Sequence, residues 1–481
     1  MDIETNTLKK FLKCYLIIYL IVVFFISVIL WIRTIHTTFG WDDIYILHYI
    51  TTHKPHFLSV IEQGFWRPLV FAFFRVLYLI FGLSPLPFHL ACIFIHTLVC
   101  ILIVLMGLRM GLDLHYSILA SLLFLFHPGT YFTVAQNQNV GDLFLALFSL
   151  LTIFFYLDWL ISKGKKKGLF FLSLIFSVLA LASKENALAL ILIITVMTFM
   201  GTDKKPKPLL IGFLVEVLLF SFYFIWFAFR VFISPYSYLK FGKIKFEPYV
   251  VVNFLDYLTL IINPHFYNTP TYVVDISLPD YLSWAVRSMI LIVILILLYK
   301  LIAERWRMEF ILLVGICGYF ILPSFIYLPL DSRFLYPALP FAMLLLISLL
   351  NKINSDSLKK IILVLVVFIY LFYLPSFFWS PSVTNFVNGL NEMEKLTNFL
   401  SNYRDKIPSR ATVVIRNHPL SYWDPASGSY YGRRWIELYF PDKKWQISFD
   451  KNAKTNNSTT FVLQWNGKIL FLIEKDSTNK I

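Results

Sequence analysis

The sequence places two adjacent carboxylates in the stretch Phe39-Gly40-Trp41-Asp42-Asp43, just after its first long hydrophobic run. An arginine follows about two dozen residues later, within Phe65-Trp66-Arg67-Pro68-Leu69. In a chain that is mostly apolar, such charges belong at a membrane surface or in a watery cavity. A carboxylate can act as a general base, and a nearby arginine suits a phosphate group. The two motifs therefore predict a functional site in the first loop of a membrane protein.

The composition around this loop is that of an all-α polytopic membrane protein. The chain has 481 residues, of which 58% are hydrophobic and 15% charged, and its mean hydropathy is +0.70. Its repeated apolar runs of roughly 17 to 22 residues are long enough to cross the bilayer. The net charge of +14 lies mostly in short loops between these runs. It therefore indicates membrane orientation, and we expect no nucleic-acid partner.

The loop charges also predict the topology. Lysines precede the first run, residues 11–31, which is too long for a signal-peptide core and has no cleavage site after it, so we expect an uncleaved anchor with a cytoplasmic N-terminus. Most of the loops expected in the cytoplasm, such as residues 162–168, are rich in Lys or Arg. This pattern predicts about eleven crossings and, in a prokaryote, the plasma (inner) membrane. The other ten lie near residues 86–107, 116–127, 140–161, 168–183, 186–201, 209–229, 282–302, 309–326, 334–350 and 361–379.

The predicted domains are a transmembrane catalytic domain, residues 1–380, and an extracytoplasmic α+β domain, residues 381–481. The first contains an outer loop at 32–85, with a surface helix expected near 69–83, and a long outer loop at 230–281. The second has a helical apolar stripe, and Asn466-Gly467 is a strong hairpin turn. We expect this domain to select the acceptor. Its predicted elements are a helix at 383–405 and strands at 411–415, 435–440, 445–449 and 460–474.

Candidate functional residues recur at the same predicted membrane face. Asp42 or Asp43 is the candidate base, and its neighbour either orients it or binds a divalent cation, for which Asp43 is the candidate metal ligand. Both also suit a solvated loop start. Arg67 suits a phosphate contact or a lipid headgroup.

The remaining candidates come from distant parts of the chain, and one topology brings them to that face. Asp142 can instead cap a helix, His127 can bond backbone, and Lys184 with Glu185 can form a simple polar turn. The candidate phosphate-binding residues are Arg67, Lys184, Arg333 and Tyr336, and the supporting residues are His127, Asn139, Asp142 and Glu185.

With these residues in place, the chain resembles the GT-C superfamily of membrane glycosyltransferases, in its protein O-mannosyltransferase and aminoarabinose transferase branch. The resemblance covers about the first 350 residues. Neutral residues stand at Val140 and Tyr131, where relatives often carry an arginine and an acid, so the identity of the substrate does not carry over. The matching pieces are Asp42-Asp43, Trp66-Arg67-Pro68-Leu69, the pair His89 and His96, His127-Pro128, Asp142, Lys184-Glu185, and Arg333-Phe334-Leu335-Tyr336-Pro337.

The resemblance implies a polyprenyl-phosphate sugar as donor and a first-loop acid as the catalytic centre. We accordingly expect an inverting transfer of a sugar to a hydroxyl or amine of a protein, lipid or glycan acceptor on the outer face, with a divalent cation as an optional cofactor. Two other classes stay open. A membrane transporter would need polar residues near the midplane and matching broken helices, and a non-catalytic partner in cell-envelope assembly would need no base at Asp42.

Overall fold

The computed structural model describes most of the chain, and the account below concerns that part alone. The described residues are 2–53, 66–200, 207–233, 249–262, 280–303, 307–325, 332–378, 381–416, 434–448, 460–465 and 470–476.

Seventeen α-helices, α1 to α17, are assigned over these residues, besides a short helical segment at 434–439. Each predicted crossing overlaps one of the seventeen, and all agree to within five residues at either end except the first, because α1 begins nine residues before the run predicted at 11–31. Long apolar runs give this agreement because helix formation satisfies every backbone hydrogen bond within the run itself. The helices are α1 Asp2–Leu30, α2 Ile32–Ile35, α3 Trp41–Thr52, α4 Pro68–Phe81, α5 Pro85–Arg109, α6 Leu114–Leu125, α7 Tyr131–Ala135, α8 Val140–Ile161, α9 Lys167–Ser183, α10 Ala189–Met200, α11 Lys207–Ile233, α12 Tyr249–Ile262, α13 Asp280–Ala303, α14 Arg307–Ser324, α15 Leu339–Asn351, α16 Asp356–Phe378 and α17 Pro381–Asn402.

Four of the described helices are long and apolar enough to cross a membrane by length and composition, namely α5, α8 with the turn before it, α11 and α14. A fifth span results if α6 and the segment Pro128–Ala135, which meet at a 58° bend, count as one. The bend falls at Pro128, whose missing N–H interrupts a continuous helix. The protein is thus a polytopic membrane protein, while the number eleven stays a prediction because several apolar helices are shorter than 18 residues.

Helices α5 and α8 form the centre of the bundle. In each, 67% of the most apolar window is buried, against 28% in α11. Leu218 and Phe222 of α11 are 69% and 73% exposed, as expected for side chains that face lipid. The predicted surface helix is α4, which buries Val70, Phe71 and Phe74. The polar segment that precedes α8 therefore begins one of the two most buried helices.

The C-terminal residues form a unit of helix α17 and a four-stranded sheet. The strands are β1 Thr412–Arg416, β2 Gln446–Ser448, β3 Thr460–Trp465 and β4 Leu470–Asp476, in the order β2-β1-β3-β4. Strand β1 runs parallel to β2 and β3, whereas β3 and β4 are antiparallel. That pairing confirms the predicted hairpin, although Asn466-Gly467 lies outside the described residues. The boundary between 380 and 381 stays a prediction.

One predicted strand is wrong. Residues 434–439 are helical, although aromatic and branched residues such as Trp435 and Ile436 favour strands. Trp435 is buried, and its Nε1 donates to Thr397 Oγ1 of α17 at 3.2 Å. Packing against α17, rather than the preference of the residues, decides the conformation.

Candidate functional site

Asp43 is fixed at the start of helix α3. Gly40 is the N-cap of this helix, and its backbone N–H donates to Asp43 Oδ2 at 3.0 Å. This is the backbone half of a capping box. The Gln138 backbone N–H donates to Asp43 Oδ1 at 2.7 Å, and Asn137 Nδ2 donates to Oδ2 at 3.4 Å. With both oxygens engaged and only 3% of the residue exposed, Asp43 ties α3 to the segment before α8.

Asp42 points elsewhere and is half-buried. Its Oδ2 accepts a hydrogen bond of 3.0 Å from the side-chain amide of Gln138. A single residue therefore contacts both carboxylates, through its backbone to Asp43 and through its side chain to Asp42. Of the two acids, Asp42 is the more exposed, whereas both oxygens of Asp43 accept hydrogen bonds from backbone N–H groups.

Burial raises the pKa of the Asp43 carboxyl group from 3.8 to about 7, more than its hydrogen bonds from Gly40, Gln138 and Asn137 lower it, and the charge of Asp42 raises it further. Desolvation favours the neutral acid, whereas the three donors favour the ion. Near neutral pH, Asp43 thus titrates inside the fold rather than remaining permanently ionised.

This pKa predicts a pH-dependent contribution to stability. Between pH about 4 and about 7 the folded acid holds a proton that the unfolded acid has lost, so its stabilisation is complete below that window and is lost as pH rises through 7. We expect the thermal midpoint of the wild type to fall relative to that of Asp43→Asn from about pH 4 to about pH 8. Thermal unfolding in detergent at several pH values measures this, and parallel profiles for the two proteins would contradict it.

A second group of side chains consists of ion pairs. Arg67, the N-cap residue of α4, donates from Nε and Nη2 to the two Glu185 carboxylate oxygens at 3.1 and 2.6 Å. Lys184 Nζ lies 2.7 Å from both oxygens of Asp142 and 4.6 Å from the centre of the Phe334 ring. The turn between α9 and α10 therefore supplies one cation and one carboxylate to two different helices.

Close backbone approach makes the second pair possible. A Cβ atom on Gly141 would lie 3.1 Å from Val70 Cγ2 and 3.2 Å from the Ser183 carbonyl oxygen. Such contacts are tighter than most real Cβ contacts, so glycine lets the first turn of α8 lie against the residue before Lys184. Asp142, in the next position, then reaches the Lys184 ammonium group.

Arg333 links the two ion pairs to helix α3, which carries Asp42 and Asp43. Its Nη1 donates to Asn139 Oδ1 at 3.2 Å, and Asn139 belongs to the same 3-10 turn, Asn137–Asn139, that contacts Asp42 and Asp43. Lys184 also interacts electrostatically with Arg67, Glu185 and Arg333. The anion cluster, which we define as Arg67, Asp142, Lys184, Glu185 and Arg333, has three cations and two carboxylates. One net positive charge thus lies beside the predicted base.

Two of the predicted site residues, His127 and Tyr336, are buried and form hydrogen bonds within the protein. His127 accepts from the Gly129 backbone N–H through Nδ1 at 3.0 Å, and its Nε2 lies 3.1 Å from the Ile261 carbonyl oxygen. Tyr336 is fully buried, and its hydroxyl group lies 2.8 Å from Nδ1 of His96. The phosphate contact of Tyr336 stays a prediction, while its burial and its hydrogen bond with His96 place this residue in the core.

The predicted divalent cation at Asp43 does not fit the surrounding side chains. Both oxygens of Asp43 face N–H donors, which a cation would have to replace. Within the described ranges, no group of three His, Cys, Asp or Glu residues lies together as a metal site would require. We assign no step to a metal here.

An apolar cavity of about 300 Å³ lies between α9 and α11. Trp66, next to Arg67 in sequence, forms part of its wall together with Leu181, Phe222 and Tyr223. Tyr223 also interacts electrostatically with Glu185 and Arg67. The cavity thus adjoins the anion cluster and reaches the lipid-facing side of α11.

Sequence reasoning missed the importance of Gln138 and Asn137. The polar run 136–139 between apolar helices was visible, but each of its amides has several potential partners. Only the fold shows that Gln138 contacts both acids and that the Cys92 thiol lies 3.8 Å from Asn137 Oδ1.

The fold and site define an integral membrane protein whose adjacent carboxylates are joined by one polar turn to an anion cluster. No protein-family model matches the chain, and no curated protein does. Among solved structures, it is similar to ArnT from Cupriavidus metallidurans bound to undecaprenyl phosphate, with 14% identity over 81% of this chain and 72% of that one and a TM-score of 0.48. At this level the similarity carries no inference about activity.

Proposed function

We propose that the protein is an inverting glycosyltransferase. It moves a hexosyl or pentosyl group from a polyprenyl-phosphate donor to a hydroxyl or amine of a protein, lipid or glycan on the outer face of the membrane. One observation carries the proposal: the turn Asn137–Asn139 contacts Asp42 and Asp43 on one side and Arg333 of the anion cluster on the other. The proposed base and the proposed phosphate-binding group thus lie within one polar network.

The donor fits the cluster and the adjoining cavity in two parts. A polyprenyl chain needs apolar walls, and the cavity beside Trp66 supplies them. Its phosphate needs cations, and the anion cluster has an excess of one positive charge. Arg333 bonds Asn139, which belongs to the turn that also contacts Asp42 and Asp43. Because it is the cation tied directly to the turn beside the proposed base, Arg333 is the one that we assign to the closest phosphate contact.

The acceptor fits the side of Asp42. The Asp42 carboxylate takes the proton of the acceptor O–H or N–H as the acceptor atom bonds to the anomeric carbon. The bond from that carbon to the phosphate oxygen breaks, and polyprenyl phosphate leaves as a monoester. Its additional negative charge is stabilised by the nearby cations. Asp43, bonded to Gly40 and Gln138, holds the helix that presents Asp42.

Binding of undecaprenyl phosphate tests the phosphate assignment. We expect Arg333→Gln to weaken binding by about tenfold, because a hydrogen bond to a charged group is worth about 1.5–3 kcal/mol. Titration of purified protein in lipid nanodiscs measures this, with undecaprenol, which lacks the phosphate, as the comparison ligand. The variant should bind undecaprenol as the wild type does.

Arg109→Gln is the matched control. Arg109 pairs with Asp158, 16 residues along α8 from Asp142 and therefore about 24 Å away. The Arg109→Gln variant should therefore bind undecaprenyl phosphate as the wild type does. Equal binding by wild type and Arg333→Gln would refute the role of Arg333, and a wild type that does not distinguish undecaprenyl phosphate from undecaprenol would refute the donor class.

A further inference from the structure

The C-terminal unit packs directly on the helix that carries the carboxylates. Glu437 Oε2 lies 2.7 Å from His48 Nε2, which is on α3 five residues after Asp43. The guanidinium carbon of Arg434 lies 4.4 Å from the centre of the Tyr45 ring, also on α3. The short helix at 434–439, where a strand was predicted, thus contacts two successive turns of α3.

The same unit reaches the start of α3. Tyr439 interacts with the Thr38 side chain and, electrostatically, with Asp43. A Cβ atom on Gly40 would lie 3.8 Å from Leu390 Cδ2 of α17. The C-terminal unit therefore covers both the approach to α3 and its middle.

The faces of α3 show which side these contacts cover. Asp43, Leu47 and Ile50 are spaced i, i+4, i+7 and are buried, so they form the face toward the bundle. Asp42, Tyr45 and Tyr49 share the opposite face and are half-buried. The C-terminal unit covers this face at Tyr45, three residues along α3 from Asp42. Its position therefore affects how α3 presents Asp42.

Helix α3 depends on such contacts for its placement. A helix of 12 residues is marginal alone, and packing fixes its position. Burial lowers the pKa of His48 from its ordinary 6.5, more than Glu437 raises it. A neutral His48 can donate its Nε2 proton to Glu437, and the pair then acts as a directional hydrogen bond between the unit and α3.

We propose that Glu437 is a positioning residue that acts through His48 to hold α3, and thereby Asp42, in the orientation needed for turnover. The proposal rests on the proposed function for its catalytic consequence. It gives the C-terminal unit a part in turnover itself, beyond the acceptor selection expected from its sequence.

The first experiment needs no substrate. With Cys14 and Cys317 replaced by alanine, Asp42→Cys reports the exposure of this position through its rate of reaction with a small methanethiosulfonate reagent. We expect Glu437→Ala to change that rate severalfold. Glu437→Gln keeps an acceptor for His48 and should restore the rate. Asp405→Ala, at an exposed carboxylate of the same unit, is the control and should have no effect.

The second experiment uses the native Asp42 and follows release of polyprenyl phosphate from lipid-linked sugars in proteoliposomes. We expect Glu437→Ala to lower kcat by about tenfold or more, as small misplacements of catalytic groups do. Undecaprenyl phosphate binding should stay as in the wild type, and Glu437→Gln should recover most of the rate.

The outcomes separate the two proposals. An unchanged labelling rate in Glu437→Ala overturns the positioning role whatever the enzyme does. A changed labelling rate in a protein whose wild type releases no polyprenyl phosphate from any lipid-linked sugar keeps the contact role and overturns the proposed function. Equal loss of kcat in Glu437→Gln and Glu437→Ala also overturns positioning through His48, since the glutamine retains that hydrogen bond.

Discussion

Asp42→Asn is expected to lower turnover by about 10²–10⁴-fold, the usual contribution of a general base. Asparagine has nearly the same shape and can still accept from Gln138 Nε2, which bonds Asp42 at 3.0 Å, but it cannot take a proton. The thermal midpoint and undecaprenyl phosphate binding should therefore stay close to those of the wild type. The measurement is release of polyprenyl phosphate from lipid-linked sugars in proteoliposomes.

Two variants distinguish a base from a structural acid. Asp113→Asn removes an exposed carboxylate at the start of α6 and should turn over normally. Asp43→Asn should disturb folding as well as turnover, because one amide cannot accept the hydrogen bonds that both oxygens of Asp43 now receive. Full activity of Asp42→Asn would exclude Asp42 as the base. A transporter or an assembly partner needs no base, so its own activity should also be unchanged by Asp42→Asn.

Lys184→Met should lower the free energy of unfolding by about 3–5 kcal/mol, the cost of leaving one partner of a buried ion pair uncompensated. Lys184 and Asp142 are 7% and 3% exposed at their side chains, and both oxygens of Asp142 lie 2.7 Å from Nζ. With so little of either side chain exposed, solvent has little access to replace the lost donor. Thermal or denaturant unfolding in detergent measures the loss, and undecaprenyl phosphate binding should weaken with it.

The paired change Asp142→Leu with Lys184→Met should restore much of that stability, because an apolar pair leaves no buried charge. It should not restore phosphate binding. Lys395→Met is the control for removing a lysine from an exposed pair, because Lys395 is 56% exposed beside Glu392, and it should change stability by less than about 1 kcal/mol. If Lys184→Met is as stable as Lys395→Met, the pair of Lys184 and Asp142 is hydrated, and the buried position assigned to it is wrong.

The helices could be predicted from the sequence because each apolar run satisfies its own backbone. Predicted crossings at 140–161 and 168–183 correspond to Val140–Ile161 and Lys167–Ser183. The helix at 434–439 could not be predicted, since aromatic and branched residues such as Trp435 and Ile436 favour strands. The hydrogen bond of 3.2 Å from Trp435 Nε1 to Thr397 Oγ1 of α17 fixes this segment, and that contact is tertiary.

The candidate site divides in the same way. By itself the sequence determined which residues carry charge near the ends of the apolar runs, and so which side chains must find partners. It did not determine the partners. That Arg67 pairs with Glu185, that Lys184 pairs with Asp142 and that Glu437 bonds His48 was decided by the tertiary structure.

The physical reason is the range of the forces involved. Hydrophobic length and loop charge act over consecutive residues and can be read along the chain. Hydrogen bonds and buried ion pairs act only over about 3–4 Å, and Asp42 and Asp43 are the clearest case. Adjacent and identical in sequence, they differ because packing of α3 turned one toward the Gly40 and Gln138 backbone and left the other half-exposed.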